Sequence, residues 1–364
     1  MVCSIMNRGG AETMVMNYYR QIDREKVQFD FLVHRTESGA YDDEILSMGG
    51  RIWRLPALTL RSILQYRRAI DDFFLQHQEY KIVHIHPFGV ALFVAMAARK
   101  HKIPVVIQHA HCCALDKMDW TTPLRYVCKT LIRPLLTHCF SCGREAAQCQ
   151  FGKSKAEHAI VLPNAIDATC YRFDNERYRM VREREGWSDR FVIGNVARFS
   201  RQKNHPRQLE ILQVLLQKRP NALLVCVGER RENFDEVRTL AKRMGLADHV
   251  QFTGGRDDVP DLLQGFDVFL FPSFFEGLSV AMIEAQAAGL HIVASDGIAP
   301  EVSIVPDRVD FLPLSASNET WAAALLKPYV RRDAYDDICR AGYDIRKNAQ
   351  WLQQFYLDQV QTME

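Results

Sequence analysis

"DVFLFPSFFEGLSVAMIEAQAAGLHIVAS", residues 267–295, sets the reading of the rest of the chain. Its opening residues are almost all apolar, the pattern of a strand covered on both faces rather than one that meets water. Gly277 then supplies a corner, and Ser279 stands where a helix running from Val280 would take its cap. "HIVAS", 291–295, reads as a second buried strand. Strand, helix and strand in about thirty residues make one unit of a parallel sheet. Such a unit needs no carboxylates at its corner, yet Glu276 and Glu284 stand on either side of it.

The same rhythm extends in both directions. Strands are predicted at 29–33, 51–55, 82–85, 104–108, 138–141 and 159–163, and again at 191–197, 222–228, 249–254, 267–272 and 291–295. Amphipathic stretches such as "AETMVMNYYRQI" and "GVALFVAMAARK" lie between them. Apolar strands spaced by helices predict an α/β protein of two doubly wound, Rossmann-like domains in tandem. The polar stretch 164–190 reads as their boundary, giving domains at 1–168 and 185–345. Only "VCSIM" precedes the Gly9-Gly10 turn, a short first strand for a central position. "NAQWLQQFYLDQVQ", with Trp351, Leu352, Phe355 and Leu357 in partly helical spacing, predicts a closing helix that docks.

Composition narrows the classes. The chain has 364 residues, 25% of them charged, and a formal net charge of +2. That balance gives no field for nucleic acid. No apolar run reaches a membrane span, and "MVCSIMNRGG" lacks the apolar core of a signal peptide, so a soluble, cytoplasmic protein is expected. Ten cysteines then read as reduced thiols, and Cys139-Phe-Ser-Cys142 as small core residues rather than a metal or redox motif.

Ligands of open parallel sheets bind beyond the carboxyl ends of the strands. Gly9 and Gly10 allow close backbone approach before a helix, or form a plain tight turn. His84 and His86 close one predicted strand, and His109 and His111 the next. A His-x-His metal site would want a carboxylate nearby, so hydrogen-bonding or acid–base histidines facing a substrate are the stronger reading, and no metal is expected. Arg198 and Lys203 follow the first strand of the second half, with Asn204 placed to cap the next helix. Two cations beside a helix amino end suit a diphosphate; solvated surface charge is the competing reading. Free amides at Ser279 and Val280 favour a phosphate, and Glu284, just over one turn inside, could accept from ribose hydroxyls. Glu276, on the loop, would face the reacting sugar. Gly254, in "FTGGRDDV", could line a base pocket through its backbone. No Asp-x-Asp occurs anywhere, so a leaving diphosphate would rely on fixed cations and helix dipoles.

In this order and spacing, the glycine pair with "AET", Arg198, Lys203 and the Glu-x7-Glu pair Glu276–Glu284 resemble the retaining glycosyltransferases of the GT-B fold, family four. "EGLSVAMIEAQAAGL", "SDGIAPEV" and "FLPL" resemble bacterial capsule and exopolysaccharide transferases in particular. The resemblance covers nearly the whole chain. It implies two Rossmann-like domains facing across a cleft, an acceptor domain first and a donor domain second. It also implies a closing helix, 350–364, that crosses back to the first domain. The implied activity is metal-independent transfer of a sugar from a nucleotide-sugar, most often a UDP-sugar, with retention. Acceptors would be a glycan or a polyprenyl-diphosphate-linked sugar at the inner face of the cell membrane. By the family's roles, Arg198 and Lys203 hold the diphosphate, Glu284 the ribose and Glu276 the donor sugar. The Gly9-Gly10 loop closes over the cleft, and its cleft histidine is His111 or His109. A nucleotide-sugar epimerase on the same fold, or an inactive partner of another transferase, would share these features.

Within 120–136, Arg125, Lys129 and Arg133 fall on one helical face amid Leu and Tyr. Such a face could meet an anionic membrane surface weakly, or be an ordinary solvated one.

Overall fold

A computed structural model describes residues 1–59, 61–111, 122–305 and 307–362. Seven strands of the first half, β1 (Val2–Cys3), β2 (Phe31–Val33), β3 (Ile52–Arg54), β4 (Ile82–Ile85), β5 (Val105–Ala110), β6 (His138–Ser141) and β7 (Ile160–Val161), form one sheet. Six more, β8 (Phe191–Val196), β9 (Ala222–Val227), β10 (Val250–Gly254), β11 (Val268–Phe271), β12 (Ile292–Ser295) and β13 (Val309–Leu312), form another. The orders are β3-β2-β1-β4-β5-β6-β7 and β10-β9-β8-β11-β12-β13, and every pairing is parallel. The chain divides into one unit of Met1–Ala165 with Ile345–Glu364 and a second of Ile166–Asp344.

Alternation within wholly buried strands explains the sheets. In β9, Leu223, Val225 and Val227 enter one core while Leu224 and Cys226 enter another, so both faces are covered by helices. In β5, Val105 and Ile107 face one core and Val106 the opposite one. Strands buried on both sides lose the polar alternation of a solvated sheet, which is why they read as continuous apolar runs.

β13 is absent from the sequence expectations. Its residues are only partly buried and include Asp310, so the apolar signal is weak at this sheet edge. β1 is as short as expected, yet it sits centrally, and backbone bonds from Leu32 N to Met1 O (2.8 Å) and His34 N to Ser4 O (3.0 Å) continue it. The closing helix, Ile345–Gln361, belongs to the first unit. It buries Ile345, Ala349, Leu352 and Tyr356 against Tyr19 and Phe29, whereas Trp351 is exposed. The stretch 164–190 is no loose linker. It carries the helices Ala168–Tyr171 and Asn175–Glu185, the latter capped by the Asp174 side chain and closed by Gly186 in the left-handed region. Buried Arg182 then ties it to the Gly265 carbonyl and to Asp267, at 3.0 and 2.9 Å.

Candidate active site

The strand order of the second unit reverses between β8 and β11, which makes their carboxyl ends the crevice where doubly wound sheets take ligands. Asn195, buried at the end of β8, donates to the Leu270 carbonyl at 2.8 Å and locks the two strands together. The loops that follow are bound to each other. Phe274 N donates to Gln202 O, Gln202 Nε2 to Phe275 O (both 2.9 Å), and Asn204 Nδ2 to Pro272 O (3.1 Å). A third loop joins from β12, through Glu276 N to Gly297 O (3.2 Å) and Ala299 N to Glu276 O (3.0 Å).

This framework brings Lys203 and Glu276 together. Lys203 Nζ lies 2.5 Å from Glu276 Oε1, and the side chains are only 13% and 11% exposed. The ammonium also lies 4.9 Å from the centroid of the Phe271 ring. Glu276 stands on the loop after β11, as the sequence predicts, and is held there by the Lys203 ammonium. Arg198 is exposed, and no described residue pairs with it.

Two expected caps take another form. Asn204 adopts the left-handed φ 53°, ψ 45° at the start of the helix His205–Leu215 instead of the extended backbone of a capping residue; its side chain makes no cap, and its Nδ2 donates to Pro272 O. Ser279 precedes the helix Val280–Ala287 with extended backbone and no side-chain cap bond. Its carbonyl accepts from Met282 and Ile283 N, so the amides at the helix start precede these first helical bonds.

Glu284, half-buried, accepts a hydrogen bond from Tyr171 Oη at 2.7 Å. Burial pushes its carboxyl up to about 7, and the tyrosine bond only partly offsets this. Tyr171 itself lies in the stretch read as a boundary, where nothing but its identity as a tyrosine could have marked it. Gly254 closes β10 at φ 75°, its carbonyl accepting from Gly228 N at 2.9 Å.

In the first unit, Gly9 is extended (φ −114°, ψ 163°) and precedes the helix Gly10–Gln21. Nothing lies within 4 Å of where a Gly10 side chain would begin, which leaves room for a ligand. The four histidines do come together. His84 Nδ1 is 2.6 Å from Tyr356 Oη, His84 Nε2 is 3.3 Å from His109 Nδ1, and His86 Nδ1 is 2.8 Å from His111 Nε2. Burial holds His84, His86 and His109 well below the ordinary imidazole range and His111 at about 4. These imidazoles are neutral near pH 7. Tyr356 was missed in the sequence; helical spacing placed its helix but gives no sign of where a hydroxyl points.

Among the described residues, neither Cys139 nor Cys142 forms a disulfide; Cys112 and Cys113 lie outside the described residues. The cationic face expected in 120–136 does not form as drawn. Lys129 is buried and donates to the Cys149 carbonyl at 3.1 Å, whereas Tyr126, Val127 and Leu131 are exposed. The side chain of Arg125 lies outside the described residues. Among the described residues, no helix is long and apolar enough to cross a membrane.

A doubly wound sheet takes its ligand at such a reversal point, and here that point carries the Lys203–Glu276 pair. Comparison with known proteins agrees. Residues 9–165 match the family described as "Glycosyl transferase 4-like domain", and residues 179–337 match "Glycosyl transferases group 1". EpsF of Bacillus subtilis (strain 168), itself a glycosyltransferase by assignment only, is 34% identical over 98% of this chain and 95% of its own. An Escherichia coli UDP-Gal:alpha-D-GlcNAc-diphosphoundecaprenol alpha-1,3-galactosyltransferase is 24% identical over 92% of this chain and 90% of its own. Among solved structures, Anabaena HepE in complex with UDP-glucose superposes with a TM-score of 0.74 at 19% identity, covering 99% of this chain and 95% of that one. The chain belongs to the family-four type of GT-B glycosyltransferases.

Proposed function

We propose that the protein is a retaining glycosyltransferase that moves a sugar from a UDP-sugar to a glycan or polyprenyl-diphosphate-linked acceptor in capsule or exopolysaccharide synthesis. The observation that carries this reading is the Lys203–Glu276 pair at the reversal point, with exposed Arg198 after the same strand. As the bond from the anomeric carbon to the diphosphate oxygen breaks, negative charge grows on the diphosphate. Arg198, Lys203 and the amides of residues 279–281 meet that charge without a metal. Glu284, oriented by Tyr171, accepts from the ribose hydroxyls, and Glu276 contacts the donor sugar. Gly254 offers backbone to the base. Of the two candidate histidines, His111 is the less buried and is the one that faces substrate. Two relatives support the donor and acceptor classes: one is named for UDP-Gal and a diphosphoundecaprenol acceptor, the other was solved with UDP-glucose. The exposed row Tyr126, Val127 and Leu131 supports weak contact with the inner face of the cell membrane, where such an acceptor is presented.

The test is a thermal-unfolding screen of UDP-, GDP- and ADP-sugars, followed by NMR of the stabilising donor with and without a lipid-linked acceptor. A UDP-sugar is expected to raise the midpoint, and its sugar to appear on the acceptor with the anomeric configuration unchanged. Isomerisation of the donor alone would make the protein an epimerase, and an inverted product would overturn the retaining assignment. No shift with any nucleotide-sugar would remove the donor site.

A further inference from the structure

His84, His86 and His109 are 2%, 9% and 1% exposed, yet Nε2 of His86 has no hydrogen-bond partner among the described residues. A buried imidazole nitrogen left this way is rare and calls for something that takes the lone pair. A sugar is a poor fit, since the unpaired atom has almost no accessible surface. A bare ion fits better. One nitrogen from each of the three rings falls within 4.8 Å of the others. His84 Nε2 and His109 Nδ1 face each other at 3.3 Å. That is the separation of two ligands on a tetrahedral ion with bonds of about 2.0–2.1 Å.

We propose, against the expectation from sequence, that His84, His86 and His109 form a binding site for a divalent cation of zinc type. All donors are imidazole nitrogens, which suits zinc and neighbouring transition metals and disfavours magnesium, calcium or manganese. The surroundings set the donor atoms. With an ion on Nε2, His84 carries its proton on Nδ1 and donates it to Tyr356 Oη at 2.6 Å. His86 donates Nδ1–H to His111 Nε2 at 2.8 Å and turns its own Nε2 to the ion. Ligating histidines are oriented by an acceptor on the other ring nitrogen in this way. The ion's ligands belong to the first unit, and the proposed diphosphate cations belong to the second.

The test is a titration of the intact chain, dialysed free of metal, with cobalt(II) as the spectroscopic stand-in for zinc. Visible d–d bands of low-coordinate cobalt are expected to saturate at about one ion per chain and to be bleached by zinc. His86→Gln and His109→Gln should each abolish them, with circular dichroism showing the fold intact. Tyr356→Phe keeps the buried ring but removes the acceptor for His84, and is expected to weaken cobalt about tenfold or more. Absence of bands at saturating cobalt would overturn the site. So would bands that survive both histidine substitutions, or that carry thiolate charge-transfer intensity and so belong to cysteines. If the histidine variants fail to fold, unchanged cobalt affinity in Tyr356→Phe overturns it alone.

Discussion

At the scale of single residues, the contact of Lys203 with Glu276 spends one of the ammonium's three N–H groups and leaves two for a ligand's oxygens. Glu284 is poised differently. Its carboxyl, lifted to about 7 by burial, is protonated in the folded protein at pH values where an unfolded glutamate is ionised. The folded state therefore loses stability as pH rises from the unfolded value near 4.5 through 7. Nucleoside binding runs the other way, because the ionised form is the better acceptor for ribose hydroxyls. Uridine, which has no phosphate to titrate in this range, is expected to bind roughly tenfold more weakly at pH 6 than at pH 8. Glu284→Gln should flatten that profile and weaken binding at pH 8, since a charge-assisted bond is worth about 1.5–3 kcal/mol. Calorimetry with uridine measures both, and equal affinity in mutant and parent would mean that Glu284 points elsewhere.

At the scale of elements, the site is held by loops more than by caps. Asn204 and Ser279 were legible as helix starts, because side-chain oxygen before an apolar run is a local signal. Their actual partners were not legible, since the Pro272 carbonyl reaches Asn204 only through the pairing of β8 with β11. The same holds for Glu276, whose backbone pairs with the chain after β12. There Gly297 matters: a Cβ on it would lie 2.2 Å from the Phe274 carbonyl oxygen, a backbone atom that cannot swing aside. Gly297→Ala is expected to cost about 1–3 kcal/mol and to lower the thermal midpoint by several degrees. Gly277→Ala, with nothing within 4 Å, should stay near the parent. Equal midpoints for the two variants would contradict the close approach. Wholly buried apolar strands such as β9 and β11 declared themselves, whereas β13, half-exposed with Asp310 inside it, did not.

At the scale of the whole molecule, two sheets of the same winding carry different chemistry at their carboxyl ends. The first gathers neutral histidines and the second gathers cations with carboxylates. The tandem design was legible because alternating strands and helices repeat across the chain. That this boundary stretch folds into the second unit from Ile166 on was not, because Arg182 reads as surface charge until Asp267 and the Gly265 carbonyl are brought to it. The central claim is that fixed cations of the second unit, with no metal, stabilise the departing diphosphate. Its most direct test is turnover of the cognate donor in excess chelator, for the parent chain and for folded Lys203→Ala. Loss of one such stabiliser costs about 2.7–4 kcal/mol of barrier. The parent is expected to keep its rate, and Lys203→Ala to fall by about a hundredfold to a thousandfold, with a smaller change in donor affinity. Near-normal turnover in Lys203→Ala, or loss of the parent's activity in chelator with recovery on adding manganese, would contradict the account.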